Sequence, residues 1–125
     1  RLYIGHETGM NGQLSAWENL SFYQQCAKVP SHEKLKQVLY ELQLIKYINI
    51  PLKQLSAGQK QRVALAQLSL IPAQVWLLDE PYSHLDLNSI NWLNQQMLAH
   101  REKKGIVIFT SHQKIDLPEH KYLSL

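Results

Sequence analysis

Two short runs of uninterrupted apolar residues, each closing on a polar cluster, constrain this chain most. Val75-Trp76-Leu77-Leu78 ends at Asp79-Glu80-Pro81, and Ile106-Val107-Ile108-Phe109 ends at Thr110-Ser111-His112. A strand with one wet face alternates polar and apolar residues. A strand apolar at every position is expected to be covered on both faces, as in a parallel sheet. Between the two runs lies a helical stretch from about Leu87 to Arg101, with Ile90, Leu93, Met97 and Leu98 as its apolar stripe. Gly105 then turns the chain into the second run. Strand, helix and strand in that order make an α/β fold with a parallel sheet. Such folds bind ligands at the carboxyl ends of their strands, where both polar clusters stand. Arg1-Leu2-Tyr3-Ile4-Gly5 reads as a further buried strand, and Tyr122-Leu123-Ser124-Leu125 as a last short one.

The middle of the chain is helical. Ser15-Ala16-Trp17-Glu18 has the spacing of a capping box, with Ser15 as N-cap and Glu18 reaching back. Leu20, Tyr23 and Ala27 fall on one face of the helix it opens, and Cys26 reads as a small buried hydrophobe near its end. Pro30-Ser31 restarts the chain into a helix carrying Leu35, Val38, Leu39, Leu42 and Leu44. Asn49-Ile50-Pro51 breaks the pattern. Ser56 and Gln59 form a second capping box, and the helix they open carries Val63 to Leu68 and stops before Pro72.

Composition excludes several classes. Of 125 residues, 45% are apolar and 18% charged, a globular balance that rules out global disorder. Thirteen Lys and Arg against ten Asp and Glu give a net charge of +3. The basic residues form no arm or stripe, so nucleic acid is not an expected partner. One cysteine excludes a disulfide framework and suits a reducing compartment. No apolar run is long enough to span a bilayer, and no signal segment is visible.

Three segments could carry chemistry. Adjacent carboxylates Asp79 and Glu80 at a strand end can divide labour. One can hold Mg²⁺, which takes oxygen ligands, and the other can orient or deprotonate water. An acidic turn accounts for the pair equally well. Leu55-Ser56-Ala57-Gly58-Gln59 leaves helix N-terminal amides open to an anion, with glycine permitting close approach. Taken alone, a plain capping box explains that segment better. His112 follows the second apolar run and can donate to a phosphate oxygen, and His6, after the first strand, belongs to the same edge. His32, His84, His100 and His120 read as solvent or turn residues with no metal-ligand spacing, and Arg62 reads equally as a solvated helix charge.

The order and spacing of these segments resemble the ATP-binding-cassette (ABC) ATPases. Leu55-Ser56-Ala57-Gly58-Gln59 with Lys60-Gln61-Arg62 looks like the family's signature and the helix behind it. Val75 to Pro81 looks like the Walker B strand, Ser83-His84-Leu85-Asp86 like the D-loop, and Ile108 to His112 like the switch-histidine strand. Tyr3 to Gly9, Leu14 to Tyr23 and the short end after Gln113 resemble one branch, the ATPase subunit of bacterial cytochrome c maturation or heme export.

The resemblance implies a partial P-loop NTPase (RecA-like) core with an α-helical subdomain. Its parts would be a core strand and Q-loop region at 1–13, a helical subdomain with the signature at 14–72, and the rest of the core at 73–125. It also implies ATP and Mg²⁺ as cofactors. Asp79 would help hold the metal, Glu80 would polarise the attacking water and His112 would contact the γ-phosphate. Ser56, Ala57, Gly58 and Gln59 would close over ATP bound to a second ATPase subunit, and Asp86 would signal across that dimer. The loop at His6 would face integral membrane permease subunits, placing the protein peripherally on the cytoplasmic face of the bacterial inner membrane.

Two departures stand out. His6 occupies a place where most of the family has glutamine, which supports the narrower branch. And Gly-x-x-x-x-Gly-Lys-[Ser/Thr] is absent from the 125 residues. The family places that phosphate loop upstream of the first strand seen here. The expectation is therefore an N-terminally incomplete chain that alone grips ATP poorly and, with strand edges left unpaired, dissolves poorly. The competing readings are an inactive truncated remnant and a non-transport ABC ATPase.

Overall fold

The computed structural model describes residues 1–5 and 9–110. The elements run β1 (Leu2–Ile4), α1 (Ala16–Cys26), α2 (His32–Glu41), short 3-10 turns at Ile45–Tyr47 and Leu52–Gln54, α3 (Ala57–Leu70), β2 (Val75–Asp79), α4 (Leu87–Glu102) and β3 (Ile106–Thr110). The strands form one parallel sheet in the order β1-β2-β3, with Tyr3, Leu77 and Ile108 in register. Both expected strand runs are present, and both capping boxes close. Ser15 Oγ accepts from the Glu18 N–H and Ser56 Oγ from the Gln59 N–H, while Glu18 and Gln59 accept in return from the N-cap amides.

Layering follows from burial. α4 packs on β3, α3 on β1, and α1 and α2 pack on the far side of α3. α3 is therefore apolar around most of its circumference, with Val63, Ala64, Leu65, Ala66 and Leu68 all buried. Leu20, Leu35, Leu39, Leu65 and Leu93, which together come from all four helices, are fully buried in the core. Each such side chain contributes about 1.5–3 kcal/mol on leaving water. Specific bonds add direction: Arg62 Nη1 donates to the Leu42 carbonyl at 2.9 Å, and the Trp92 indole N–H donates to Glu41 Oε1 at 2.9 Å.

Several expectations are corrected. Both-face coverage of the strands does not hold among the described residues. Trp76 and Leu78 are buried, but Tyr3 is 58% and Ile106 50% exposed. The contacting helices, α3 and α4, leave the row Tyr3, Leu77, Ile108 without a helical layer. Cys26 is exposed, not buried. The inward face of α1 is Ala16, Asn19, Leu20 and Gln24, and Cys26 stands two positions, about 200° at 3.6 residues per turn, beyond Gln24. Ala27 is likewise an exposed cap residue. Leu42 and Leu44 are buried, but by a turn rather than a helix. Gln43 adopts φ 59°, and the Leu44 N–H returns to the Leu39 carbonyl at 2.8 Å. On α4 the deepest residues are Ser89, Trp92, Leu93 and Met97, with Ile90 and Leu98 half-buried. His100 is not a solvent residue: its ring stacks on Trp76 at 3.8 Å between centroids. The strand expected at Tyr122–Leu125 lies outside the described residues.

Candidate functional site

The site is built at the carboxyl end of the central strand. Asp79 closes β2, and its parallel partner in register is Thr110, the last residue of β3. The Thr110 hydroxyl donates to Asp79 Oδ1 at 2.7 Å. Glu80 follows with φ 49°, in the left-handed region that costs a non-glycine residue about 1–3 kcal/mol. Its N–H donates to both the carbonyl and the hydroxyl of Thr110, each at 3.2 Å, which holds that turn. Strain and fixed geometry thus coincide at the carboxylate pair.

A cleft of about 490 Å³ opens over this edge. Asp79 and Glu80 line one side, and the first turns of α3 line the other through Ala57, Lys60 and Gln61. Gly5 and Gly12 border it, and Lys53 adds a second cation. The Gln61 side chain donates to the Pro81 carbonyl at 3.0 Å, tying α3 to the turn after β2. Gly58 makes a closer approach still. A Cβ there would stand 2.7 Å from the His84 carbonyl oxygen, so the start of α3 meets the turn at His84 only as glycine.

The residues expected from sequence fall into three groups. Asp79, Glu80 and Ala57 meet in the cleft, and Gly58 packs against its His84 wall. Ser56, Gln59 and Asp86 stand at helix starts and are not among the lining residues. Ser56 and Gln59 engage each other in the α3 capping box. Asp86 caps α4 by accepting from the Ser89 N–H at 2.9 Å. The Ser89 hydroxyl and backbone N–H beside it hold its carboxyl below the ordinary 3.8, with Arg62 adding a smaller pull. His6, Ser111 and His112 lie outside the described residues.

Sequence reasoning missed other contributors. Lys53 and Lys60 line the cleft, and Thr110 fixes its carboxylates. Asn19 is buried on α1, where its Nδ2 donates to the carbonyls of Asn11, Leu14 and Ser15 and its Oδ1 accepts from the Asn11 N–H. It thereby shapes the loop that carries Met10 and Gly12 to the cleft. The amides Asn19 and Gln24 on a helix face shared with Ala16 and Leu20 were the available signal. No group of three or more His, Cys, Asp or Glu that could hold a metal occurs among the described residues.

Known proteins share the sequence and the fold. The ABC transporter family profile matches residues 2–83. The cytochrome c biogenesis ATP-binding export protein CcmA of Histophilus somni is 47% identical over 115 residues, covering 91% of this chain and 53% of that protein. Its counterpart in Pasteurella multocida is 46% identical over 115 residues, with 91% and 54% covered. That of Escherichia coli K12 is 42% identical over 120 residues, with 96% and 56% covered. The chain spans about half the length of the curated relatives it matches. A solved putative ABC transporter ATP-binding protein from Pyrococcus furiosus shares the fold, with a TM-score of 0.72 at 20% identity, covering 92% of this chain and 59% of that one.

Proposed function

Since the chain belongs to the ABC transporter family, we propose that it forms the water-activating and signature portion of an ATP-hydrolysing subunit serving cytochrome c maturation or heme export. The observation that carries the reading is the Asp79–Glu80 edge of the central parallel strand, fixed by Thr110 and facing the start of α3 across one cleft. Glu80 is the group that polarises the attacking water. His112 contacts the γ-phosphate, and His6, which follows β1 in the sequence, senses nucleotide.

Asp79 is the metal residue. One of its carboxylate oxygens accepts from Thr110, Glu80 is the adjacent carboxylate lining the cleft, and no group of three or more His, Cys, Asp or Glu gathers there among the described residues. That donor set fits Mg²⁺, which is commonly held by one or two carboxylates with the rest of its shell from phosphates and water. Bound there, Mg²⁺ supplies charge neutralisation for the phosphates. Ser56, Ala57, Gly58 and Gln59 present the α3 N-terminus, whose amides and dipole favour an anion, to ATP on a second copy. Asp86, at the start of α4, links that interface to the core. The family's association with membrane components supports integral permease partners and a peripheral place on the cytoplasmic face of the inner membrane. No helix among the described residues is long and apolar enough to cross a bilayer.

The test is complementation. The full coding sequence is placed in a bacterium lacking its own cytochrome c maturation ATPase, and holocytochrome c is measured. Wild type restores holocytochrome c and Glu80→Gln, at equal protein level, does not. Restoration by Glu80→Gln, or none by wild type, contradicts the proposal.

A further inference from the structure

We infer that Thr110 is a positioning residue for the metal-binding carboxylate. The inference rests on the ATPase reading above and adds a residue to it. β3 runs Ile106, Val107, Ile108, Phe109 and then places one hydroxyl beside Asp79. A valine would satisfy the strand and its half-buried position equally well, so burial alone does not call for a hydroxyl. The hydroxyl is instead spent on the site. It donates to Asp79 Oδ1 at 2.7 Å, the short separation of a charge-assisted bond. The same oxygen, with the Thr110 carbonyl, accepts the Glu80 N–H at 3.2 Å.

Thr110 therefore fixes both members of the pair from one cross-strand position. Its β-branched side chain has few rotamers, so the hydroxyl is aimed before any ligand arrives. One Asp79 oxygen accepts from the hydroxyl, and the other has no hydrogen bond among the described residues, with the carboxylate plane already set. Without the hydroxyl, the carboxylate must be ordered as the cation binds, and the Glu80 turn loses one of its two acceptors. The expected effect falls on metal affinity and not only on stability.

The experiment uses the protein expressed from its full coding sequence, with Mn²⁺ standing in for Mg²⁺ and a non-hydrolysable ATP analogue. Mn²⁺ affinity is read by electron paramagnetic resonance, with thermal melting in parallel. Partners of metal ligands are typically worth about 10–100-fold in affinity, so Thr110→Val and Thr110→Ala weaken Mn²⁺ binding about 10-fold or more. Thr110→Ser, which keeps the hydroxyl, stays within about 3-fold of wild type, below that range. A Thr110→Val or Thr110→Ala protein that melts earlier but binds Mn²⁺ like wild type overturns the inference, as does Thr110→Ser binding as poorly as Thr110→Val. Hydrolysis by wild type and Glu80→Gln in the same preparations separates the two levels. Loss in Glu80→Gln with Mn²⁺ affinity unchanged in Thr110→Val removes only the positioning role. A wild type that binds no Mn²⁺–nucleotide removes the ATPase reading and the inference with it.

Discussion

Replacing Glu41 by alanine measures how firmly α2 is held to α4. Trp92, on α4, is 6% exposed, and its indole N–H donates to Glu41 Oε1 at the end of α2, 51 residues away in sequence. Gln37 steadies the other carboxylate oxygen at 3.0 Å, and Asn88 donates to the Glu41 carbonyl at 3.4 Å. A hydrogen bond to a charged group contributes about 1.5–3 kcal/mol, and an orphaned buried donor costs about 1–3 kcal/mol. Glu41 itself is exposed, so water competes for its carboxylate and the low end applies. Glu41→Ala is therefore expected to cost about 1.5 kcal/mol. Glu41→Gln costs about half as much, because a neutral acceptor bonds roughly half as strongly. Trp92→Phe loses the donor and ring volume together and costs more than Glu41→Ala. The assay is urea denaturation followed by far-ultraviolet circular dichroism, run as a double-mutant cycle on Glu41→Ala and Trp92→Phe. A coupling energy of about 1 kcal/mol is expected for residues in direct contact. Strict additivity would refute the reasoning, leaving the Asn88 bond to the Glu41 carbonyl as the polar tie between α2 and α4.

Three further outcomes are expected. The Asp86 carboxyl is held below its ordinary value of 3.8, so its contribution is present above the unfolded pKa and fades as pH falls through the lowered one. Wild type should thus lose its advantage over Asp86→Asn, which keeps the cap without the charge, only below about pH 4, and a pH-independent gap in urea midpoints contradicts this. Gly58→Ala should destabilise by up to about 2 kcal/mol. Overpacking against the His84 carbonyl costs about 1–3 kcal/mol and Ala regains about 1 kcal/mol of helix propensity, so a raised melting temperature refutes the contact. The 125 residues expressed alone should elute as aggregates in size exclusion, given exposed Tyr3, Ile106 and Ile108 on one sheet face, and a monomer peak with cooperative melting counts against that.

What was legible in the sequence was whatever short-range physics decides. The capping boxes at Ser15 and Ser56 are four-residue hydrogen-bond patterns, and the structure forms both. Two apolar runs ending in polar residues sufficed for β2 and β3 and for the position of Asp79 and Glu80. What escaped depends on distant partners. A continuous apolar run does not say which elements cover a strand, so the uncovered row through Tyr3, Leu77 and Ile108 went unforeseen. Thr110 reads as one more strand residue until its register partner is known to be Asp79. Cys26 falls off the inward face by helical phase, since Gln24, two positions earlier, carries that face. His100 looked like solvent because nothing local announces a ring stacked on Trp76, 24 positions earlier.

The measurement that tests the central claim most directly is steady-state ATP hydrolysis by the protein from its full coding sequence, wild type against Glu80→Gln, with nucleotide binding followed in parallel. A lost general base typically lowers the rate about 10²–10⁴-fold, so the expected result is a fall of at least that order in Glu80→Gln with ATP binding retained. A Glu80→Gln protein hydrolysing ATP at the wild-type rate would contradict the role assigned to the carboxylate edge of β2.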